Sequence, residues 1–134
     1  MHSDNFPPIR QEIQTNLAPA AIGPYSQAIR AGSLLFISGQ IPIDPTSEQV
    51  VEGDVAAQTH RIMRNLGAIL LAAGIDYEHV VRTTIFLVDL GDFKQVNDTY
   101  GGYFDSPPPT RSTVQVTALP KGVRVEIDAI AHLG

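Results

Sequence analysis

Residues 54–73, DVAAQTHRIMRNLGAILLAA, constrain the fold of this chain more than any other stretch. Val55, Thr59, Ile62, Met63, Leu66, Ile69, Leu70 and Ala73 recur at three- and four-residue spacing, which predicts an amphipathic helix with one apolar stripe. Asp54 is placed to cap its start and Gly74 to end it. Gln58, Arg61, Arg64 and Asn65 fall on the other side. A helix with one such stripe must bury it against a second layer of structure.

The rest of the chain supplies that layer. Residues 33–41 (SLLFISGQI) read as a buried strand interrupted at Gly39, and the β-branched run 79–88 (HVVRTTIFLV) as another. Residues 9–14 form a short strand, and two more are predicted over 111–117 and 123–132. A second helix is expected over 92–104, capped by Asp92 or Asp89 and weakened by Gly101 and Gly102. Its apolar set is Phe93, Val96, Tyr100, Tyr103 and Phe104, and the proline run 107–109 ends it. Residues 1–8 are a loose end, while 18–28 are too rich in Pro, Gly and Ala for a regular element. This order predicts one α+β domain over 1–134, with both helices on one face of a mixed sheet.

Composition removes several function classes. With no cysteine, there is no disulfide, thiolate nucleophile or thiolate metal site, which fits a reducing, cytoplasmic setting. His2, His60, His79 and His132 lack metal-ligand spacing, so no metal is expected. The net charge of −5 and the absence of a basic cluster argue against a nucleic-acid partner. No apolar run is long enough to span a bilayer, and the N-terminus shows neither a signal-peptide nor a transit-peptide pattern.

The chemistry-bearing segment is 107–128, PPPTRSTVQVTALPKGVRVEID. It reads as two adjacent strands joined at Leu-Pro-Lys-Gly, with Arg111 in the first and Glu126 in the second. Alternation puts Arg111, Thr113, Gln115, Glu126 and Asp128 on one polar sheet face, of the kind that meets another subunit. As a structural feature, Arg111 and Glu126 would form a cross-strand ion pair. As a functional one, an arginine fork grips a carboxylate while a glutamate moves a proton or orients water. Tyr25 in GPYSQA reads as a packed rim aromatic, and Asp89, Asp92 and Asp98 as helix caps or dipole partners. Ser26 and Ser38 have no general base in sequence reach, and SGQ at 38–40 is no phosphate loop.

From Leu17 to His132 the chain resembles the YjgF/YER057c/UK114, or Rid, family of reactive intermediate deaminases. The resemblance rests on APAAIGPYSQA (18–28), FISGQIPIDP (36–45), GDVAAQTHRIMRNLGAILLAAG (53–74), VVRTTIFLVDLGDF (80–93), VNDTY (96–100) and TRSTVQVTALPKGVRVEIDAIA (110–131). It implies a chorismate-mutase-like fold and a homotrimer whose sheets form a barrel, with ligand sites between subunits. It implies hydrolysis of 2-iminopropanoate or 2-iminobutanoate to the 2-oxo acid and ammonia, without metal or cofactor. In that reading Arg111 holds the carboxylate, Glu126 activates or holds water, and Tyr25 lines the pocket, with Ser38, Gly39, Asn97, Thr113 and Phe93 or Phe86 as further contacts. Many relatives carry cysteine where this chain has Thr113, which argues against a required thiol. Two alternatives share the fold: a non-catalytic trimer that binds 2-oxo or 2-imino acids, and a pathway-specific deaminase such as one for 2-aminomuconate. The latter needs a second cation, with Arg30, Arg82 and Arg124 as candidates. The ribonuclease or translation-inhibitor activity attached to some relatives fits the acidic balance poorly.

Overall fold

The structure is a computed structural model and describes residues 8–134, so the loose end expected over 1–8 lies, Pro8 apart, outside the described residues. Six strands and two helices follow in the order β1 (Gln11–Ile13), β2 (Ala28–Ala31), β3 (Leu34–Gln40), α1 (Val55–Ala72), β4 (Val80–Leu87), α2 (Phe93–Gly101), β5 (Thr110–Gln115) and β6 (Val125–His132). They form one sheet of order β1-β2-β3-β6-β4-β5. Every neighbouring pair is antiparallel except β4 and β5, so the sheet is mixed as expected.

The predicted helix is α1. Asp54 Oδ1 accepts from the Ala57 amide at 2.9 Å, and Gly74 adopts φ +79° just past the end. Ile62, Met63, Ile69 and Leu70 are fully buried against Leu35, Ile85, Val125 and Ile127 of the sheet. The polar side of α1 differs from expectation, because Gln58 and Asn65 are buried too. Gln58 Oε1 accepts from the Arg124 amide at 3.0 Å, and Asn65 Nδ2 donates to the Ile43 carbonyl at 3.0 Å. The connecting segments fold back over this side of the helix, and their backbone groups need partners once water is excluded.

Helix α2 stops at Gly101, short of the predicted 104. Two successive glycines weaken it there, and Tyr103 and Phe104 leave the helix to stack on Tyr77 and Tyr100. Asp89 caps only the short 3-10 turn before α2, accepting from the Gly91 amide at 2.8 Å. Asp92 caps nothing; it grips Arg124 with both oxygens, at 3.1 and 2.5 Å. Asp98 instead pairs with Lys94 at 2.8 Å. Strand β2 begins at the last residue of the Pro-, Gly- and Ala-rich stretch and has no counterpart among the predicted strands. Its Ala28 is buried opposite Ile37, so pairing with β3 makes a strand where composition gives no signal.

The largest correction concerns the C-terminal pair. β5 and β6 are not neighbours, because β4 lies between them, parallel to β5 and antiparallel to β6. Thr83 pairs with both Arg111 and Ala129, and Phe86 with both Val114 and Glu126. Paired residues share a sheet face. Arg111, Thr113 and Gln115 therefore lie on the helix side with Thr83, Ile85 and Leu87. Glu126 and Asp128 lie on the open side with Thr84, Phe86, Ser112 and Val114. The single polar face read from alternation does not exist. A connection of nine residues between two strands does not reveal whether a third strand enters between them.

Candidate functional site

Two clusters of side chains, on opposite faces of the sheet, hold the expected site residues Tyr25, Ser38, Gly39, Phe86 and Glu126 on one side and Phe93, Asn97, Arg111 and Thr113 on the other. The first surrounds Glu126. It is a cleft of about 580 Å³ lined by Tyr25, Ser38, Gly39, Pro120, Lys121 and Glu126, among others. Register shifts between Ile37 and Gln40, so Ser38 and Gly39 form a bulge opposite Asp128 of β6. The bulge aims backbone at the carboxylate. A Cβ on Gly39 would sit 2.9 Å from Glu126 Cδ and collide with the carboxylate oxygen. Gly39 is thus the residue that makes room for the acid.

Ser38 is held from below. Its hydroxyl donates to the Ser26 carbonyl at 2.6 Å, and its amide to the Gln27 carbonyl at 2.9 Å. Gln27 is a site-building residue that the sequence reading missed. It is buried, accepts from the Thr15 amide at 2.7 Å, and donates to the carbonyls of Thr15 and Pro19 at 3.0 and 2.8 Å. These bonds pin the irregular 15–27 segment that carries Tyr25. The Tyr25 ring is half exposed at the rim, and its hydroxyl accepts from the Ile22 amide at 3.4 Å. Burial pushes the Glu126 carboxyl above the ordinary glutamate range, and the Asp128 charge pushes it the same way.

The second cluster surrounds Arg111 at the β5 edge. Its guanidinium carbon lies 5.5 Å from the Phe93 ring centre and 5.3 Å from that of Tyr100. Its Nη1 donates to Asn97 Oδ1 at 2.6 Å. Among the described residues no carboxylate pairs with Arg111. The expected cross-strand ion pair with Glu126 is absent, because β4 and the sheet itself separate the two. Asn97 and Phe93 thus stand beside the arginine and not beside Glu126. Thr113 shares the face of Arg111, and its Oγ1 is buried without a hydrogen-bond partner. Phe86 belongs to the other cluster, as the cross-strand partner of Glu126.

The three arginines considered as a second cation are elsewhere. Arg124 is bound to Asp92, Arg82 donates to Ser112 Oγ at 3.0 Å, and Arg30 to the Gly32 carbonyl at 3.2 Å. The cation lining the Glu126 cleft is Lys121, which adopts φ +59° in the Pro120–Gly122 turn. A larger cleft of about 690 Å³, between the Tyr77–His79 turn and Pro107–Pro109, contains none of the expected site residues. Beside it Asp76, Glu78 and His79 bring three possible ligand atoms within 4.8 Å of one another, a grouping the histidine spacing did not signal. Asp76 and His79 are already occupied in capping the turn, with His79 Nδ1 3.3 Å from Asp76 Oδ1. Among the described residues no helix is long and apolar enough to cross a membrane.

The bulged strand, the Glu126 cleft and the cradled arginine all fall inside residues 15–133, which match the family model described as Endoribonuclease L-PSP. The chain belongs to this family, the YjgF/Rid family whose sequence blocks it carries. It is 60% identical over 124 residues to Protein DfrA of Myxococcus xanthus, covering 91% of this chain and 95% of that one. It is 51% identical over 126 residues to the Homo sapiens 2-iminobutanoate/2-iminopropanoate deaminase, covering 94% and 92% of the two chains. The crystal structure of E. coli TdcF with bound serine has the same fold, with a TM-score of 0.87 at 43% identity over 91% of this chain and 98% of that one.

Proposed function

We propose that this protein hydrolyses small 2-imino acids, such as 2-iminopropanoate and 2-iminobutanoate, to 2-oxo acids and ammonia. The observation that carries the reading is Arg111, an arginine fixed by an amide and two aromatic rings yet without a carboxylate partner among the described residues. Such a fork is complementary to a small planar carboxylate. The mammalian relatives at about half identity are named 2-iminobutanoate/2-iminopropanoate deaminases, which agrees with it.

In the reaction water adds to the imine carbon, the C–N bond then breaks, and ammonia leaves as the carbonyl forms. Glu126, a carboxyl with a raised pKa in a cleft, takes a proton from the adding water and passes it to the imine nitrogen, then takes the hydroxyl proton of the resulting carbinolamine as the carbonyl forms and gives it to the departing ammonia. Arg111 holds the substrate carboxylate so that the imine carbon faces that water. Tyr25 and the Ser38–Gly39 bulge shape the cleft around the reacting atoms.

Arg111 and Glu126 lie on opposite faces of one sheet, so a single chain cannot bring them to one substrate. The proposal therefore includes a homotrimer in which the Glu126 cleft of one copy meets the Arg111 cradle of the next. The open sheet face supports association: Phe36 pairs with Ile130 and Phe86 with Val114 there, and no helix covers them. Phe36 is 43% exposed and Val114 41% exposed in the single chain.

An amino-acid oxidase that generates the imine in the presence of semicarbazide tests the activity. The wild-type protein is expected to suppress semicarbazone formation, and Arg111→Ala to leave it unchanged. No suppression with alanine-, 2-aminobutyrate- or leucine-derived imines sinks the proposal. Lys121 favours a second reading, a substrate with a distal carboxylate. That reading requires Lys121→Ala to weaken a dicarboxylic 2-oxo acid far more than 2-oxobutanoate in a binding titration.

A further inference from the structure

The cradle around Arg111 continues beneath it into the core. Phe93, Asn97 and Tyr100 stand at positions i, i+4 and i+7 of α2, so one face of that helix is devoted to the guanidinium. The outer members have obvious freedom: Phe93 is 40% exposed, and Asn97 is partly buried. Tyr100 is different. It is 4% exposed, and its hydroxyl lies 2.6 Å from Thr83 Oγ1, itself 1% exposed on the core face of β4. Thr83 is also the strand partner of Arg111. The backbone that carries the arginine and the ring that supports its side chain are therefore tied to the same residue.

We infer that Tyr100, anchored through its hydroxyl to Thr83, is a positioning residue that fixes the plane of the Arg111 guanidinium for carboxylate recognition. The inference rests on the reading of Arg111 as the carboxylate grip. Asn97 engages one Nη1 hydrogen, which leaves Nε and Nη2 as the pair of parallel donors that a carboxylate accepts. That geometry is useful only if the fork cannot rotate about its stem. A ring packed against the guanidinium face resists such rotation, and a cation above a largely desolvated ring is also attracted to it. Burial raises the Tyr100 pKa, so the hydroxyl stays protonated and its bond to Thr83 persists across the working pH range. The hydroxyl pair explains why this position is tyrosine: a buried Thr83 Oγ1 without it would lose its partner.

The test uses equilibrium binding of 2-oxobutanoate and of its uncharged methyl ester to the full-length protein. The quantity read is the ratio of the two affinities, which reports the grip on the carboxylate and is independent of turnover. Arg111→Ala defines the ratio with the grip removed. Tyr100→Leu is expected to lower the ratio about tenfold, and Tyr100→Phe, which keeps the ring and loses the anchor, roughly threefold. A purely structural role would lower the unfolding temperature and leave the ratio at its wild-type value, which would overturn the inference. If Tyr100→Leu does not fold, Tyr100→Phe decides: an unchanged ratio overturns it, a lowered ratio supports it. A wild-type protein that prefers the acid but hydrolyses no imine overturns the deaminase reading and leaves this one standing. A wild-type protein with no preference for the acid overturns both.

Discussion

Glu126 carries the clearest consequences of a single side chain. Its folded-state pKa is raised, chiefly by burial and then by Asp128. The charged form is the disfavoured one, so this group contributes stability at low pH that is lost as pH rises through its folded value. The proposed hydrolysis uses the carboxylate form, so activity should fall on acidification with a midpoint above the ordinary glutamate range, measurable in the pH profile of kcat/KM. Glu126→Gln is expected to lose about a hundredfold or more of hydrolysis, flatten that acid limb, and bind 2-oxobutanoate about as well as wild type. If the variant keeps its activity, Glu126 does not move the proton. Gly39 tests the same geometry from the other side. A methyl group there meets the Glu126 carboxylate, so Gly39→Ala should cost about ten- to a hundredfold in kcat/KM.

Helix α1 shows how context reverses a rule. Gly67 lies inside it, and glycine-to-alanine in a helix interior ordinarily stabilises by up to about 1 kcal/mol. Here a Cβ would sit 2.9 Å from the ring carbon that bears the Tyr77 hydroxyl. That hydroxyl donates to the Met63 carbonyl at 2.6 Å, and burial raises its pKa to about 12. Gly67→Ala is therefore expected to destabilise the protein by about 1–3 kcal/mol in urea unfolding. Unchanged or increased stability would show that Tyr77 yields freely. The entrance to α2 is held differently, by the buried Asp92 carboxylate on Arg124. This bond ties α2 to the start of β6, and hence the Arg111 cradle to the strand that bears Glu126.

For the assembled molecule, the separation of Arg111 and Glu126 makes a prediction that no single chain could satisfy. Arg111→Ala and Glu126→Gln should each be inactive alone. Co-expressed in equal amounts, they should regain roughly one quarter of wild-type activity, because in the proposed trimer each site draws its arginine and its glutamate from different copies. No recovery in mixed oligomers would mean that the two residues serve one site within a chain, or none. The proposed association would also cover the apolar part of the open face, where Phe36 and Val114 are exposed in the single chain. A charge placed there, as in Phe36→Glu, should shift the protein toward smaller species in light scattering and lower activity in parallel.

Much of this protein was legible in the order of its residues. The stripe of α1, its Asp54 cap, the alternation of β6 and the Leu-Pro-Lys-Gly turn are local patterns, set by helix and strand periodicity and by turn chemistry within a few residues. The candidate site residues could be named one by one, most of them through the family resemblance, and the interruption of β3 at Gly39 could be read as well. Their grouping could not be read, because it depends on which strands become neighbours. β4 enters between β5 and β6 to bury Ile85 and Leu87 under the helices, and the parallel register turns Arg111 to the helix side. Gln27, Gln58, Asn65 and Asp92 were equally invisible. Each is a polar residue that no local periodicity marks as buried, and each is buried because distant backbone or a distant arginine needs its hydrogen bonds. Periodicity acts over neighbours in the chain, whereas partners of that kind are supplied by packing.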